Sequence, residues 1–198
     1  EDVMDITINY FTQDELRRLF NAIKNSGDRH ALRNLCIFRV AYRCGLRASE
    51  IRLLKLEYYN KSKGELYCKR LKSSWNNTIA LDKQTVKILN QYIKEYGVKE
   101  ESEVLFKSQE QNPISRKMLD YLMKRYCQMA KIKDENKWHF HCLKHSTAVH
   151  LAESDLDIKE VQFWLGHKSV NSTLCYFQFT TKQQKNMLEK LEKHSMLV

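Results

Sequence analysis

A single proline, Pro113, and five glycines punctuate 198 residues. With so few breakers the chain favours long helices over a many-turned β fold. Thr12-Gln13-Asp14-Glu15 is a capping box, in which Thr12 accepts from the Glu15 amide and Glu15 reaches back. Leu16, Leu19, Phe20 and Ile23 then mark one apolar face, and Ser26-Gly27 ends that helix. A second helix is expected from about residue 28, with Ala31, Leu35, Phe38 and Tyr42 at helical spacing and a stop at Gly45. Gly45 allows a tight turn, after which Ala48 or Ser49 starts a short helix through Leu54.

Between residues 57 and 81 the pattern switches to period two, predicting strands over 65–71 and 78–81 in a small antiparallel sheet. Asp82 caps a helix with Val86, Leu89, Ile93 and Tyr96 facing in and Gly97 as its stop. Val104-Leu105-Phe106 is a short buried run. Pro113-Ile114-Ser115 opens a helix whose inner face is Leu119, Leu122, Tyr126 and Met129. Helices over roughly 142–153, 157–165 and 169–176 follow, with Asp157 and Ser169 as N-caps, and then an amphipathic tail over about 181–197. The expected fold class is mostly α with one small antiparallel β-sheet, an α+β domain. Residues 1–11 form a lead-in, 12–180 the domain and 181–198 a C-terminal helix.

A hydrophobic share of 42% beside 29% charged residues is ordinary globular usage and argues against a disordered chain. No run approaches the ~18 apolar residues of a membrane span. The six cysteines (Cys36, Cys44, Cys68, Cys127, Cys142 and Cys175) form no CxxC pair. Reduced thiols in an intracellular compartment are expected, ahead of disulfides or zinc. Lys and Arg number 34 against 24 Asp and Glu, a formal net charge of +10. That excess implies an acidic partner, nucleic acid first, because neutralising phosphates releases counterions.

The chemistry-bearing residues gather late in the chain: His141-Cys142-Leu143-Lys144-His145, then Leu165-Gly166-His167, then Tyr176 nine positions past His167. Upstream, Gly45-Leu46-Arg47-Ala48-Ser49-Glu50 sets an arginine at a tight turn. Alone, that arginine is equally a rigidly held group or a surface residue at a helix start. In this order and spacing the segments resemble the C-terminal catalytic domain of the tyrosine recombinase (phage integrase) family. That family's motif runs His-x-x-Arg, Leu-Gly-His and a tyrosine nine residues on. Ser172-Thr173 and Phe177 also fit, and the resemblance covers Thr12 to about Phe179. One position departs: the family's second arginine is Lys144 here.

A phosphodiester resists cleavage because its transition state is crowded and gathers negative charge. An in-line nucleophile, fixed donors on the oxygens and an acid for the leaving oxygen overcome this. The resemblance implies that Tyr176, a phenol with an ordinary pKa of about 10, attacks the phosphorus and forms a 3′-phosphotyrosyl link. Arg47 clamps the non-bridging oxygens as a planar fork, His167 adds a hydrogen bond, and His141 is the acid/base partner of the tyrosine. Lys144 keeps a positive charge at the second arginine position but offers a point donor in place of a fork. It is read as a working natural variant, with a weakened enzyme and an introduced substitution as the other possibilities. The resembled family carries a catalytic lysine on a hairpin here, and counting back from Ile79-Ala80-Leu81 points to Lys72, which alone would pass for a solvated turn lysine; the resemblance implies that it protonates the leaving oxygen. Lys69 is the fallback.

Contacts to the DNA backbone are expected from Ser115, Arg116 and Lys117, donors in the first turn of a helix where phosphate is favoured. A capped, solvated helix start fits the same residues equally well. Lys168 and Lys69 complete the expected DNA-binding set. His139 and His141 could mimic a metal pair, but no third ligand stands at plausible spacing, and the resemblance implies no metal or nucleotide cofactor. The partners it implies are double-stranded DNA and further copies of the chain, as a tetramer on that DNA, with the tail docking on a neighbour. It also implies an intracellular location at viral, plasmid or prokaryotic DNA. Family members usually carry an N-terminal helical domain that closes around DNA, which residues 1–11 do not supply. A catalytic fragment or a minimal recombinase is therefore expected. The function expected is a site-specific recombinase or integrase. The alternatives are a DNA-binding relative impaired in strand transfer by Lys144, and an enzyme that only nicks and reseals.

Overall fold

The structure is a computed structural model that describes residues 8–71, 74–177 and 181–194. Helix α1 (Gln13–Lys24) starts at the Thr12–Glu15 capping box, with both reciprocal bonds made. Helix α2 (Ala31–Cys44) is buried on nearly every side and forms the central rod of the fold; a helix apolar all round belongs inside a domain. It begins three residues later than the spacing suggested. Asp28 is drawn away to hold Arg125 (2.7 Å) and the Tyr126 hydroxyl (2.8 Å) across the core. Gly45 ends α2 in the left-handed region (φ +63°), and the short α3 (Ala48–Ile51) follows.

The sheet has three strands, β1 (Tyr59–Asn60), β2 (Glu65–Cys68) and β3 (Asn77–Ala80), antiparallel in that order. Buried Leu66 pairs with buried Ile79, as the period-two pattern requires. The second strand stops at Cys68, short of residue 71. Beyond it the chain turns inward, and the Arg70 amide donates to Asn76 Oδ1 rather than continuing the ladder. β1 carries too few residues for periodicity to reveal.

Helix α4 (Lys83–Tyr96) runs from the Asp82 cap to Gly97. Its buried line is Thr85, Leu89 and Tyr92, with Tyr96 at the exposed rim, so the inward face is rotated from the expected one. Helix α5 (Arg116–Met129) is capped by Ser115 and buries Leu119, Leu122, Met123, Tyr126 and Cys127. Met129, expected inside, is exposed, because Met123 and Cys127 fill the line one turn apart.

The last helices are α6 (Cys142–Ala152), α7 (Ile158–Leu165), α8 (Asn171–Phe177) and α9 (Thr181–His194). Asp157 caps α7 as expected. α8 starts two residues past Ser169, whose hydroxyl accepts from the Asn171 amide within the preceding turn. α6, α7 and α8 bury a second apolar cluster of Ala148, Val149, Ala152, Val161, Leu165 and Tyr176, onto which Ile8 and Tyr10 pack. Residues 8–11 are tied down there, since Phe11 is fully buried and its amide donates to Ser146 Oγ (2.8 Å). No helix among the described residues is long and apolar enough to cross a membrane, and all six cysteines are free thiols.

Candidate active site

Five segments bring side chains to one cavity of about 430 Å³, lined among others by Arg47, Arg116, His141, Lys144, His167 and Tyr176. The first is the turn from α2 into α3. Past Gly45, Leu46 is buried as an anchor, and Arg47 stands in extended conformation at the start of α3. Its amide donates to Glu50 Oε1 (2.9 Å), and the other oxygen of that fully buried carboxylate accepts from the Leu71 amide (3.4 Å). Glu50 thereby couples the arginine turn to the end of the hairpin.

A second coupling comes from Arg70, which is buried behind the cavity wall. Its Nη1 donates to Gly45 O (2.7 Å), Nη2 to Cys44 O (2.8 Å) and Trp164 O (3.0 Å), and Nε to Asn77 Oδ1 (3.1 Å). Asn77 Nδ2 in turn donates to Phe163 O (2.7 Å) and Trp164 O (2.9 Å). The end of α2, the sheet and the end of α7 are thus bolted together at one guanidinium. At the end of α7, Gly166 has φ +70°, and a Cβ there would lie 2.4 Å from Trp75 O. Only glycine lets the hairpin lie this close, with the Trp75 amide donating to Gly166 O (2.6 Å) and Ser74 bridging to His167.

His167, held by these contacts, is 6% exposed, and its Nδ1 pairs with Thr173 Oγ1 at 2.8 Å. Burial, then the charges of Lys144, Arg47 and Arg70, push its pKa down to about 4. Lys144, in the first turn of α6, is 5% exposed, and its Nζ has no hydrogen-bond partner among the described residues. Burial lowers it to about 8, with Glu50 pulling upward and Arg47 and Arg70 pushing further down. Tyr176 on α8 is 9% exposed, and burial raises its phenol to about 12 despite Arg47. His141 is exposed at the cavity mouth, its ring stacked on His139 at 5.4 Å. Its pKa lies below the ordinary value through partial desolvation and His139, with Asp120 opposing.

Of the expected catalytic set, the structure therefore gathers Arg47, His141, Lys144, His167 and Tyr176, while Lys72 lies outside the described residues. Of the expected DNA-binding set, Arg116 lines the cavity and Lys117 is exposed beside it on α5. The Ser115 hydroxyl is occupied as helix cap, accepting from the Met118 amide at 3.0 Å, and borders a separate cavity of about 710 Å³ between α2 and α5. Lys69 is exposed just past β2, and Lys168 is exposed next to His167.

The spacing argument missed Arg70, Asn77, Asp120 and His145. Arg70 had a signal, since it shares the period-two face of buried Leu66 and Cys68. Asp120 accepts from the Phe140 amide (3.2 Å) and fixes the approach to α6. His145 lines the cavity 6.4 Å from the Tyr176 ring, and burial lowers its pKa to about 4. Among the described residues no group of three or more His, Cys, Asp or Glu is arranged to hold a metal ion.

The profile of the Phage integrase family matches residues 9–183. The chain is 31% identical over 170 residues to the type 1 fimbriae regulatory protein FimB of Escherichia coli K12, covering 85% of this chain and 83% of FimB. It is 30% identical over 182 residues to the tyrosine recombinase XerA of Pyrococcus horikoshii, covering 90% of this chain but 60% of XerA. In three dimensions it superposes with a TM-score of 0.79 on the site-specific recombinase XerH in a post-cleavage complex with its palindromic difH substrate, at 21% identity, covering 97% of this chain and 56% of XerH. With its fold and nearly its whole length matched in this way, the chain belongs to the phage integrase family and carries the catalytic-domain fold of the tyrosine recombinases.

Proposed function

We propose that this chain cuts and rejoins duplex DNA at a specific site through a covalent tyrosine intermediate. The observation that carries the reading is the convergence of Tyr176, Arg47, Lys144, His167 and His141 on one positively charged cavity large enough for a phosphodiester. The Tyr176 oxygen bonds to phosphorus as the bond from phosphorus to the 5′ oxygen breaks, leaving a 3′-phosphotyrosyl link and a 5′ hydroxyl. The phenolic proton leaves during attack, because a phenol held at about 12 is protonated at neutral pH. His141, neutral and at the cavity mouth, accepts it. Arg47, Lys144 and His167 hold the non-bridging oxygens, and Lys72 protonates the departing oxygen. A strand from a second duplex then reverses the step. Copies assemble on DNA for that exchange, and α9 is a candidate for contact between them because Met187, Leu188 and Leu191 are exposed along it.

The test is incubation with a library of nicked duplexes, followed by denaturing electrophoresis and peptide mapping. A DNA adduct on Tyr176, absent from Tyr176→Phe, is the expected result. DNA binding with no adduct from any duplex would favour the second reading, a DNA-binding relative disabled by Lys144. That alternative draws on the missing partner of the lysine Nζ, and adduct formation restored in Lys144→Arg would support it. Relaxation of a supercoiled plasmid that lacks any target site would point instead to nicking and resealing.

A further inference from the structure

Lys144 is walled in by charged and titratable groups, of which Glu50 and Arg70 have their bonds committed elsewhere. From α3 come Arg47 and Glu50, and both Glu50 oxygens are held by the Arg47 and Leu71 amides. Arg70, beyond β2, spends its guanidinium on three carbonyls and Asn77. His141 and His145 stand on its own helix, His167 follows α7, Tyr176 comes from α8, and Arg116 and Asp120 from α5 complete the lining. The ammonium thus sits among guanidinium groups, beside one carboxylate engaged elsewhere, with no hydrogen-bond partner among the described residues. An unpaired charge in such surroundings is unfavourable, and a lysine can relieve it by releasing its proton. An arginine at this position could not, because guanidinium keeps its proton.

We propose that Lys144 is a proton-linked receptor for the DNA phosphate: its amine is poised to lose a proton in the free protein, and a phosphodiester entering the cavity supplies the missing partner and draws one proton from solvent onto Nζ. This rests on reading the cavity as a phosphodiester site. The other shifted groups at the cavity do not titrate in the same window. His167 and His145, lowered to about 4, and His141, below its ordinary value, are neutral in mildly alkaline solution, while Tyr176 at about 12 stays protonated. Below about pH 8 the lysine is charged with or without DNA and adds no pH dependence. Above that, affinity falls by up to about tenfold per pH unit until the midpoint of the bound state is reached.

Brief acylation of the whole chain across a pH series, with the yield at Lys144 read by mass spectrometry and normalised to its own alkaline plateau, gives the midpoint directly. It is expected near 8 in the free protein, against about 10.4 for exposed lysines. A saturating short duplex is expected to raise it by at least about one pH unit, a tenfold change. In Lys144→Arg, duplex affinity followed by fluorescence anisotropy should lose its dependence on pH in the mildly alkaline range. A free-protein midpoint equal to that of exposed lysines, a duplex that binds without moving it, or an unchanged pH dependence in Lys144→Arg would each overturn the proposal. A shifted midpoint with no Tyr176 adduct keeps the receptor and removes the recombinase reading; an adduct with an ordinary midpoint does the reverse.

Discussion

His167 shows how one side chain pays for its position. Its ring is buried and bonded to Thr173, and its pKa is held at about 4 against about 6.5 for a free imidazole. Between those values the unfolded chain binds the proton that the folded chain refuses, so stability declines as pH falls through that window. His145 pulls in the same direction. Chemical denaturation as a function of pH should show a loss of about 3 kcal/mol assignable to His167, and His167→Gln should flatten that part of the curve. A profile unchanged in the variant would mean that the ring is solvated. This residue was legible from its nine-residue offset to Tyr176. His145 was not, because only the packing of α8 against α6 turns a helix histidine into a cavity wall.

At the scale of elements, local signals were readable and non-local ones were not. The caps at Thr12, Asp82 and Asp157 and the stops at Gly45 and Gly97 are decided within a few residues, and all stand where the sequence places them. The early end of β2 and the late start of α2 are decided by partners far along the chain, Cys44 and Trp164 for Arg70, Arg125 for Asp28. Spacing hints that Arg70 faces inward, but it names none of these distant partners. Arg70→Ala should therefore be costly. It strips donors from three buried carbonyls and loosens α2, the sheet and α7 together, so a loss of about 3–5 kcal/mol is expected in thermal or urea unfolding. Adduct formation by Tyr176 should fall further than stability alone explains, because both Gly45 and the end of α7 lose their common anchor. A loss below about 1 kcal/mol would show that water replaces the guanidinium.

Taken whole, the molecule is a basic body, net +10, with its chemistry recessed in one hollow. Duplex binding by the chain should weaken steeply with salt, with log affinity falling linearly against log salt concentration at a slope near −0.9 per neutralised phosphate. Charge reversal at exposed Lys117 should lower that slope by about one and leave the sequence preference of cutting unchanged. A slope near zero in a fluorescence titration would contradict the electrostatic reading of the surface.

The bonds that frame the hollow end largely on main-chain atoms: Cys44, Gly45 and Trp164 carbonyls for Arg70, Arg47 and Leu71 amides for Glu50, Phe163 and Trp164 carbonyls for Asn77. Every residue type except proline offers the same amide and every type the same carbonyl, so at Cys44, Leu71, Phe163 and Trp164 these bonds do not depend on which side chain the residue carries, whereas Gly45 is fixed by its φ of +63° and Arg47 by its place at the cavity. At those four positions the shape of the hollow is held by the path of the backbone, and a substitution that preserves the path preserves the bond.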